Sequence, residues 1–486
     1  MNSMIRAEIA KPNPKSTINS YRSFGYNLST AIADIVDNSI SANGTEIHIT
    51  YNWDGQDSFI SVLDNGTGMN KEELVLAMTP GSKDPEEERD EKDLGRFGMG
   101  LKTASFSQCK RLTCITKKIS CSLIKRCWDI DFINEENEWQ LLDFVSHDSF
   151  LESLNNQISG TLVIWEKLDR IVGNAESNNE SVKNAFYQEM MDVKHHLRLV
   201  FHKFIESKRL KIFFQNDRIE PYNPFLLNLN PKPEMGLPEK FENVEIIYFI
   251  LPHMSEIGKV EYEKSGGPLG WFQEQGFYIY RGDRLLVSGD WLGLEKKRDY
   301  SKLARIAINI SNANDFNWHL DIKKSTATPP IEIRRELSRI AKIAIMKSAK
   351  IYNWRGSQTI TETGNPNHEP LWKDEITRDG IKKYKINRKH PIINSLLSEN
   401  NKLAGKVLKL LEDNVPIELI LINQNEDPAY HELEKQLEIP SQELIDLAVE
   451  LFKINKSQGI PESLARQQIM CATPFNLFPL INDYLK

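Results

Sequence analysis

The stretch Ile32–Ala42, IADIVDNSISA, has the spacing of an amphipathic helix, and it decides the fold of the first domain. Its apolar residues recur three and four positions apart, which is the period of a helix face that packs on a core. Asp34, Asp37 and Asn38 fall at similar spacing, so we expect their side chains to gather on a neighbouring face. Two carboxylates and an amide beside a buried stripe indicate a polar site at the edge of this core.

Three further stretches are candidates for the same site. Leu63–Met69, LDNGTGM, is a predicted strand end that runs into a glycine turn, and Gly95–Ala104, GRFGMGLKTA, is a glycine-rich loop that opens a helix. A helix start offers backbone N–H groups that bind anions, and phosphate is the usual occupant. The apolar strand GTLVIWE begins with Gly160 and Thr161, and it can present a hydroxyl beside Asp64.

Each stretch has a second interpretation when it is taken alone. The D-x-G-x-G turn also fits a hairpin or part of a calcium loop, the glycine loop also fits a helix-entry turn, and the helix also fits an amphipathic element with a solvated Asp37. The G-x-x-G-x-G order differs from the Rossmann fingerprint, and the sequence contains no Walker loop. The order and spacing of all four stretches together point to one nucleotide site.

The four stretches resemble the motifs of the GHKL ATPases, which bind nucleotide in a Bergerat fold. This group includes the gyrase B subunit, the heat-shock-90 chaperones, MutL and MORC proteins, and sensor histidine kinases. IADIVDNSISA resembles the N box, and LDNGTGM, GRFGMGLKTAS and GTLVIW resemble the three glycine boxes. Because Lys102 follows its last glycine, the second glycine box is most similar to those of bacterial MORC-like and MutL-like ATPases.

The resemblance implies ATP and Mg²⁺ as ligands and assigns roles to single residues. It places the cation on Asn38, the adenine on Asp64 and Thr161, and the activation of water on Asp34, where the family usually has glutamate. Aspartate is one methylene shorter, and about 1 Å of misplacement can lower a rate roughly 10²-fold, so we expect a slow ATPase. The further nucleotide contacts that the resemblance implies are Gly66, Gly68 and Met69 at the base and Gly95, Phe97, Gly98, Met99, Gly100, Leu101 and Lys102 at the phosphates.

The middle of the chain resembles the transducer domain that follows the ATPase domain in MutL, MORC and topoisomerase chains. The stretches that carry this resemblance are GFYIYRGDRLL and HLDIKKSTATPP. It implies that Lys323 or Lys324 reaches the γ-phosphate as a catalytic group, although two solvated lysines at a strand end fit the same letters. The charged segment from Thr79 to Phe97 is expected to be a nucleotide-ordered lid, and an acidic loop is the plainer interpretation.

The predicted fold class is α+β, with three domains. We expect a Bergerat-type α/β sandwich over residues 1–205, a transducer-like α/β domain over 206–352, a linker over 353–372, and a mainly helical C-terminal domain over 373–486. A helix from about Val182 to Ser207, with Met190 and Met191 turned inward, is expected to bridge the first two domains. The C-terminal helices fit a dimer or partner interface, and they fit a plain helical core equally well.

Composition excludes several classes of protein. With 486 residues, 40% of them apolar, and a net charge of −7, the chain resembles an ordinary globular protein and does not coat nucleic acid by bulk charge. It has no apolar run of transmembrane length and no signal peptide, so we expect a cytoplasmic protein without a membrane partner. Its five cysteines lack C-x-x-C spacing, which favours reduced thiols over a zinc site.

The resemblance implies an ATP-gated clamp that closes as a homodimer. DNA is the favoured target, in repair, restriction or antiphage defence, and the basic run Lys382–His390, KKYKINRKH, fits a strip that contacts phosphates. Such short runs are often merely solvated. Because no nuclease signature is evident, a separate nuclease or helicase chain would be the partner in DNA cleavage. The alternatives are a chaperone-like clamp on protein clients and, less favoured, a histidine kinase.

Overall fold

The computed structural model describes residues 12–82, 100–241, 243–267, 269–310, 318, 327–359, 370–376, 382–398, 402–415, 440–472 and 474–485. The chain divides into two compact units, Met1–Tyr352 and Asn353–Lys486. Mixed sheets alternate with helices in the first unit, so the predicted α+β class is confirmed.

The first domain has a seven-stranded sheet with helices packed on it. The strands are β1 Glu46–Asn52, β2 Phe59–Asp64, β3 Arg111–Lys117, β4 Ile124–Asp129, β5 Gly160–Glu166, β6 Lys211–Phe214 and β7 Asp217–Arg218, in the spatial order β4-β3-β5-β2-β1-β6-β7. The helices are α1 Pro14–Arg22, α2 Leu28–Ser41, α3 Lys71–Met78, α4 Gly100–Gln108, α5 Ile130–Glu136, α6 Ser149–Asn155, α7 Glu180–Val200 and α8 His202–Glu206. Neighbouring strands are antiparallel except β1 and β6, which are parallel.

The two faces of this sheet follow from the period-two alternation of its strands. In β5, Val163 and Trp165 belong to the main core, which α1, α2, α4 and α7 cover. Leu162 and Ile164 face the other way and pack with Phe150 of α6 in a smaller cluster. The sheet is therefore covered on both faces, which explains why all of β5 is buried.

The long helix predicted from Val182 to Ser207 is interrupted, and part of its predicted face was wrong. The structure ends α7 at Val200 and starts α8 at His202. Met190 is fully buried, whereas Met191 is 41% exposed. Adjacent residues of a helix point about 100° apart, so both methionines cannot face the same core.

The second domain of the first unit is built on a six-stranded sheet. Its strands are β8 Glu234–Met235, β9 Glu239–Phe241, β10 Val244–Ile250, β11 Gly276–Arg281, β12 Arg284–Asp290 and β13 Ala304–Ile310, and its helices are α9 Met254–Ile257, α10 Lys259–Ser265, α11 Gly270–Gln273 and α12 Ile331–Thr359. The spatial order is β12-β11-β13-β10-β8, with β9 on β10. Leu337 and Ala341 of α12 pack on one face of this sheet, and Leu199 of α7 packs with Tyr280 on the other. Thus α7 contacts both sheets of the first unit.

The end of α12 lies in the second unit, which continues with a hairpin and then with helices. Its elements are β14 Trp372–Ile376, β15 Lys382–Ile386, α13 Pro391–Ser398, α14 Lys402–Asp413, α15 Gln442–Ser457 and α16 Glu462–Met470. Ala448, Phe452 and Ile469 lie in its core with Phe475 of a short 3₁₀ turn. None of the five cysteines of the chain forms a disulfide. Within the described ranges, no helix has the length and apolar character needed to cross a bilayer.

Candidate functional site

Helix α2 carries the first part of the candidate site. Asn27 caps its N-terminus by accepting a hydrogen bond from the backbone N–H of Thr30, and most of the helix is buried. Asn38 is exposed near the C-terminal end, so its amide is accessible to a ligand. Asp34 lies one turn earlier and is buried, and its Oδ2 accepts a hydrogen bond from Tyr26 Oη at 2.9 Å. Tyr26 was not among the predicted site residues.

Asp64, the last residue of β2, is a buried carboxylate with three donors around it. Its Oδ2 accepts from Ser39 Oγ at 2.9 Å, and its Oδ1 accepts from the backbone N–H groups of Gly66 at 2.8 Å and Thr161 at 3.2 Å. Burial raises the pKa of Asp64 above its usual value, although these three hydrogen bonds oppose the shift. A buried acceptor of this kind suits the recognition of an amino group on a base edge.

Thr161 contacts Asp64 through its backbone, whereas the sequence suggested its hydroxyl. The β2–β5 register pairs Asp64 with Thr161, which brings the N–H to the carboxylate. The Thr161 hydroxyl instead lies 3.1 Å from Thr116 Oγ1, and this oxygen also accepts from the backbone N–H of Met69 at 3.0 Å. Thr116 therefore ties the glycine turn to β5, and it lies on β3, outside all four motifs.

The glycine turn after Asp64 is packed too tightly for side chains. Gly68 has a φ of +64°, and a Cβ built there would lie 2.0 Å from the carbonyl oxygen of Lys117. A Cβ on Gly66 would lie 2.9 Å from both Asp64 Oδ1 and the carbonyl oxygen of Ala42. These contacts show that both glycines are needed for the turn to lie against the end of β3 and the end of α2.

The start of α4 lies beside the N-box helix. A Cβ on Gly100 would lie 3.6 Å from Asp34 Oδ2, so the last glycine of the second box is next to the carboxylate. Leu101 packs against the core, and Lys102 is buried with its Nζ donating to the carbonyl oxygen of Ala77 at 3.0 Å. Lys102 thus joins α4 to the end of α3. The predicted residues that lie outside the described ranges are Gly95, Phe97, Gly98, Met99, Lys323 and Lys324, together with positions 83–97 of the expected lid.

Asp37 does not lie at the candidate site with the exposed Asn38, so the expectation that it gathers there was wrong. It is 1% exposed and forms an ion pair with Arg284 of β12, which also excludes the alternative of a solvated side chain. The physical reason is the helical phase, because Asp37 and Asn38 are adjacent and point about 100° apart. Arg284 could not be predicted as the partner of Asp37, because the two residues are 247 positions apart in the sequence.

The arrangement joins acidic, amide and glycine groups from four elements, where the inner strand β2 ends and its neighbour β5 begins. Ser39 connects α2 to Asp64, and Asp34 lies next to the start of α4. Among the described residues, no three His, Cys, Asp or Glu side chains form a group that could hold a metal. An amide oxygen such as that of Asn38 nevertheless fits Mg²⁺ that is bound mainly through phosphate oxygens and water.

Comparison with known proteins bears on the same part of the chain. Residues 26–161 match the family model described as "Histidine kinase-, DNA gyrase B-, and HSP90-like ATPase". This range begins at the tyrosine that contacts Asp34 and ends at Thr161. A segment of 89 residues is 34% identical to part of the ATPase morc-1 of Caenorhabditis elegans. This segment covers 18% of this chain and 10% of that protein. The chain therefore spans about a tenth of the length of this curated relative.

Proposed function

Because residues 26–161 form a histidine kinase-, DNA gyrase B- and HSP90-like ATPase domain, we propose that the chain is an ATP-dependent clamp of the MORC and MutL type. In this proposal it hydrolyses ATP slowly with Mg²⁺ and closes as a homodimer. The observation that carries the proposal is the bonded path from the exposed amide of Asn38, through its neighbour Ser39, to the buried carboxylate of Asp64. It gives one helix a cation ligand and a contact to the base.

Each residue of this path has a distinct task in the proposed ATPase. The amide oxygen of Asn38 ligates Mg²⁺, and Asp64 accepts a hydrogen bond from the adenine amino group. Asp34, held by Tyr26, orients and deprotonates the attacking water. The short aspartate side chain limits its reach, so the proposed rate is low.

Phosphate release tests the task of Asp34. Asp34→Ala should lower the rate of phosphate release by about 10²-fold or more, while ATP affinity stays within a few-fold of wild type. The reason is that a general base acts on the attacking water and does not hold the adenine or the cation. Asp57→Ala, at an exposed position of the same domain, is the matched control. Equal and nonzero rates for wild type and Asp34→Ala would remove Asp34 from the mechanism.

DNA is the proposed target, and the β14–β15 hairpin supplies the support. The register pairs Trp372 with Ile386 and Asp374 with Tyr384, so Trp372 and Tyr384 lie on one face as diagonal neighbours. They are 41% and 42% exposed, whereas Lys385, the residue after Tyr384, projects from the opposite face of the hairpin. Two exposed aromatic rings on one face fit stacking on bases.

A protein client remains the second candidate, because helix α14 exposes apolar side chains. Val407, Leu410 and Leu411 are 46%, 62% and 51% exposed and recur at helical spacing. Such a stripe favours contact with another protein surface. It fits the interface of the proposed homodimer as well as a chaperone-like contact, so the target has to be decided by binding.

A DNA retention assay with the full chain distinguishes these candidates. A non-hydrolysable ATP analogue should increase retention, and retention should fall as salt increases, because phosphate contacts release counterions. Trp372→Ala with Tyr384→Ala should weaken retention, whereas Tyr187→Ala, at a similarly exposed aromatic residue of the first domain, should not. No binding at low salt, with protection of an unfolded client instead, would favour the chaperone-like function. Acid-labile phosphate on the chain would favour a histidine kinase.

A separate nuclease or helicase chain is the proposed partner for any DNA cleavage or unwinding. Within the part of the chain that the structure describes, no cluster of acidic and histidine side chains could hold catalytic metals. We place the function in repair, restriction or antiphage defence inside the cell on the strength of the MORC and MutL resemblance. Nuclease activity of the purified full chain alone would overturn the need for this partner.

A further inference from the structure

A buried ion pair connects the nucleotide-binding helix to the second sheet of the first unit. Arg284 is the first residue of β12, and its Nε lies 3.2 Å from Asp37 Oδ1 and 3.3 Å from Asp37 Oδ2 of α2. The two side chains are 4% and 1% exposed. A pair so far from water is screened little by salt and holds its geometry more strictly than a surface pair.

The guanidinium of Arg284 is held on more than one side. Its Nη1 donates to the carbonyl oxygen of Leu285 at 2.5 Å, and its Cζ lies 5.4 Å from the centre of the Phe201 ring. Phe201 is the residue that separates α7 from α8. Arg284 therefore contacts α2, its own strand and the joint between α7 and α8, and small shifts of any of these would change the pair.

Asp37 directly precedes Asn38 on α2, and the two side chains leave the helix in different directions. Asn38 is exposed at the candidate site, whereas Asp37 is buried against the second domain. Since a helix turns as a rigid body, a rotation of α2 that moves the Asn38 amide also moves the Asp37 carboxylate. The ion pair thus restrains the orientation in which Asn38 faces a ligand.

His196 and Lys203 are two further titratable groups of this interface. His196 of α7 has a buried Nε2, and burial of the ring and the nearby guanidinium lower its pKa to about 3, so it is neutral near pH 7. Lys203 Nζ donates to Asn309 Oδ1 at 3.0 Å and lies 3.8 Å from Asp283 Oδ1. Those contacts join α8 to the second sheet at the β11–β12 turn and not to α2.

We propose that Arg284 is a positioning residue that couples the nucleotide site to the second sheet. Through Asp37 it fixes the orientation of α2 in which Asn38 ligates the cation, and nucleotide binding in turn restrains β12. This inference rests on the proposed ATPase function and deepens it. Coupling between two sites is reciprocal in free energy, so a variant that weakens one contact must weaken the response at the other.

The test uses three variants of the full chain. Arg284→Met keeps much of the side-chain volume and removes the cation that faces Asp37. Asp37→Asn with Arg284→Met removes the buried negative charge as well, so it remains informative if the single variant unfolds. Arg209→Met is the matched control, since Arg209 Nη2 forms an exposed ion pair with Asp283 Oδ2 at 2.6 Å in the same interface without touching α2.

Nucleotide affinity is measured by calorimetry with a non-hydrolysable ATP analogue, in Mg²⁺ and in EDTA. Arg284→Met should weaken binding in Mg²⁺ about tenfold or more and change binding in EDTA by no more than about twofold, because Asp64 still holds the base. The double variant should resemble the single variant, since the two residues act as a unit. In wild type and Arg209→Met, hydrogen exchange of β12 should slow on addition of the Mg²⁺ complex, and in Arg284→Met it should not.

The outcomes separate the inference from the function on which it rests. If Arg284→Met binds the Mg²⁺ complex as wild type does and still protects β12, the inference is overturned and the ATPase function stands. If the folded variants lose affinity equally in Mg²⁺ and in EDTA, Arg284 is a structural residue only, and the inference is again overturned. If wild type binds no adenine nucleotide, the proposed function fails and the inference fails with it.

Discussion

Replacement of Asp64 by asparagine tests the recognition of adenine with little change to the fold. Asparagine retains an Oδ1 that can accept from the N–H groups of Gly66 and Thr161, which donate at 2.8 and 3.2 Å. At the second position an NH₂ group replaces an oxygen that accepts from Ser39 Oγ at 2.9 Å. The serine hydroxyl can rotate and accept instead, so the internal contacts survive.

The substitution should weaken the binding of adenine more than it destabilises the fold. In the proposed complex, an acceptor for the adenine amino group becomes a donor, and a hydrogen bond to a charged group contributes about 1.5–3 kcal/mol. This predicts an ATP dissociation constant about 10- to 150-fold higher for Asp64→Asn. The oxygen at position 6 of guanine accepts a hydrogen bond, so GTP should lose less affinity than ATP or gain some.

Titration of both nucleotides into wild type, Asp64→Asn and the exposed control Asp57→Asn measures this selectivity. The control should bind as wild type, and the melting temperatures of all three should agree within a few degrees. If Asp64→Asn keeps both its melting temperature and wild-type ATP affinity, Asp64 does not contact the base.

Two further predictions concern stability. Both Gly68 and Gly81 have positive φ, at +64° and +67°, so alanine at either position should destabilise the fold by about 1–2 kcal/mol. Only at Gly68 would the new Cβ also lie 2.0 Å from the carbonyl oxygen of Lys117, which should destabilise the fold by about 1–3 kcal/mol more. Equal melting temperatures of Gly68→Ala and Gly81→Ala would contradict the tight packing of the turn. Because the pKa of His196 in the folded chain, about 3, lies below its usual 6.5, its contribution to stability is complete above about pH 6.5 and is lost as the pH falls toward 3. Urea unfolding of His196→Gln should therefore depend on pH between 6 and 4 less steeply than wild type, by up to about 1.4 kcal/mol per pH unit, and identical slopes would show that the ring titrates normally.

The residues that sequence could assign were those whose partners lie nearby in the chain. The phase of the apolar residues in Ile32–Ala42 was sufficient for α2, and the glycines after Asp64 were sufficient for a tight turn. The sheet that joins them was expected from apolar strands, and its order was not, because strand pairing depends on contacts that no local pattern encodes.

The residues that sequence missed are set by that pairing. Thr116 enters the site because β3 lies beside β5 and pairs Thr116 with Thr161. Arg284 reaches Asp37 because α7 packs against both sheets and against α2, which places β12 close to α2. Tyr26 was within reach of a local argument, since it lies just before the N-cap Asn27 and 8 residues before Asp34, about two turns of helix away.

Calorimetric titration of the full chain with a non-hydrolysable ATP analogue, with and without Mg²⁺, shows whether Asn38 helps to bind a nucleotide–Mg²⁺ complex. Wild type should bind one nucleotide per chain, and Mg²⁺ should strengthen binding. Asn38→Ala should keep binding in EDTA and lose the gain from Mg²⁺, because we propose that the Asn38 amide ligates the cation. A full Mg²⁺ effect in folded Asn38→Ala, or no heat from wild type with any adenine nucleotide, would contradict the account.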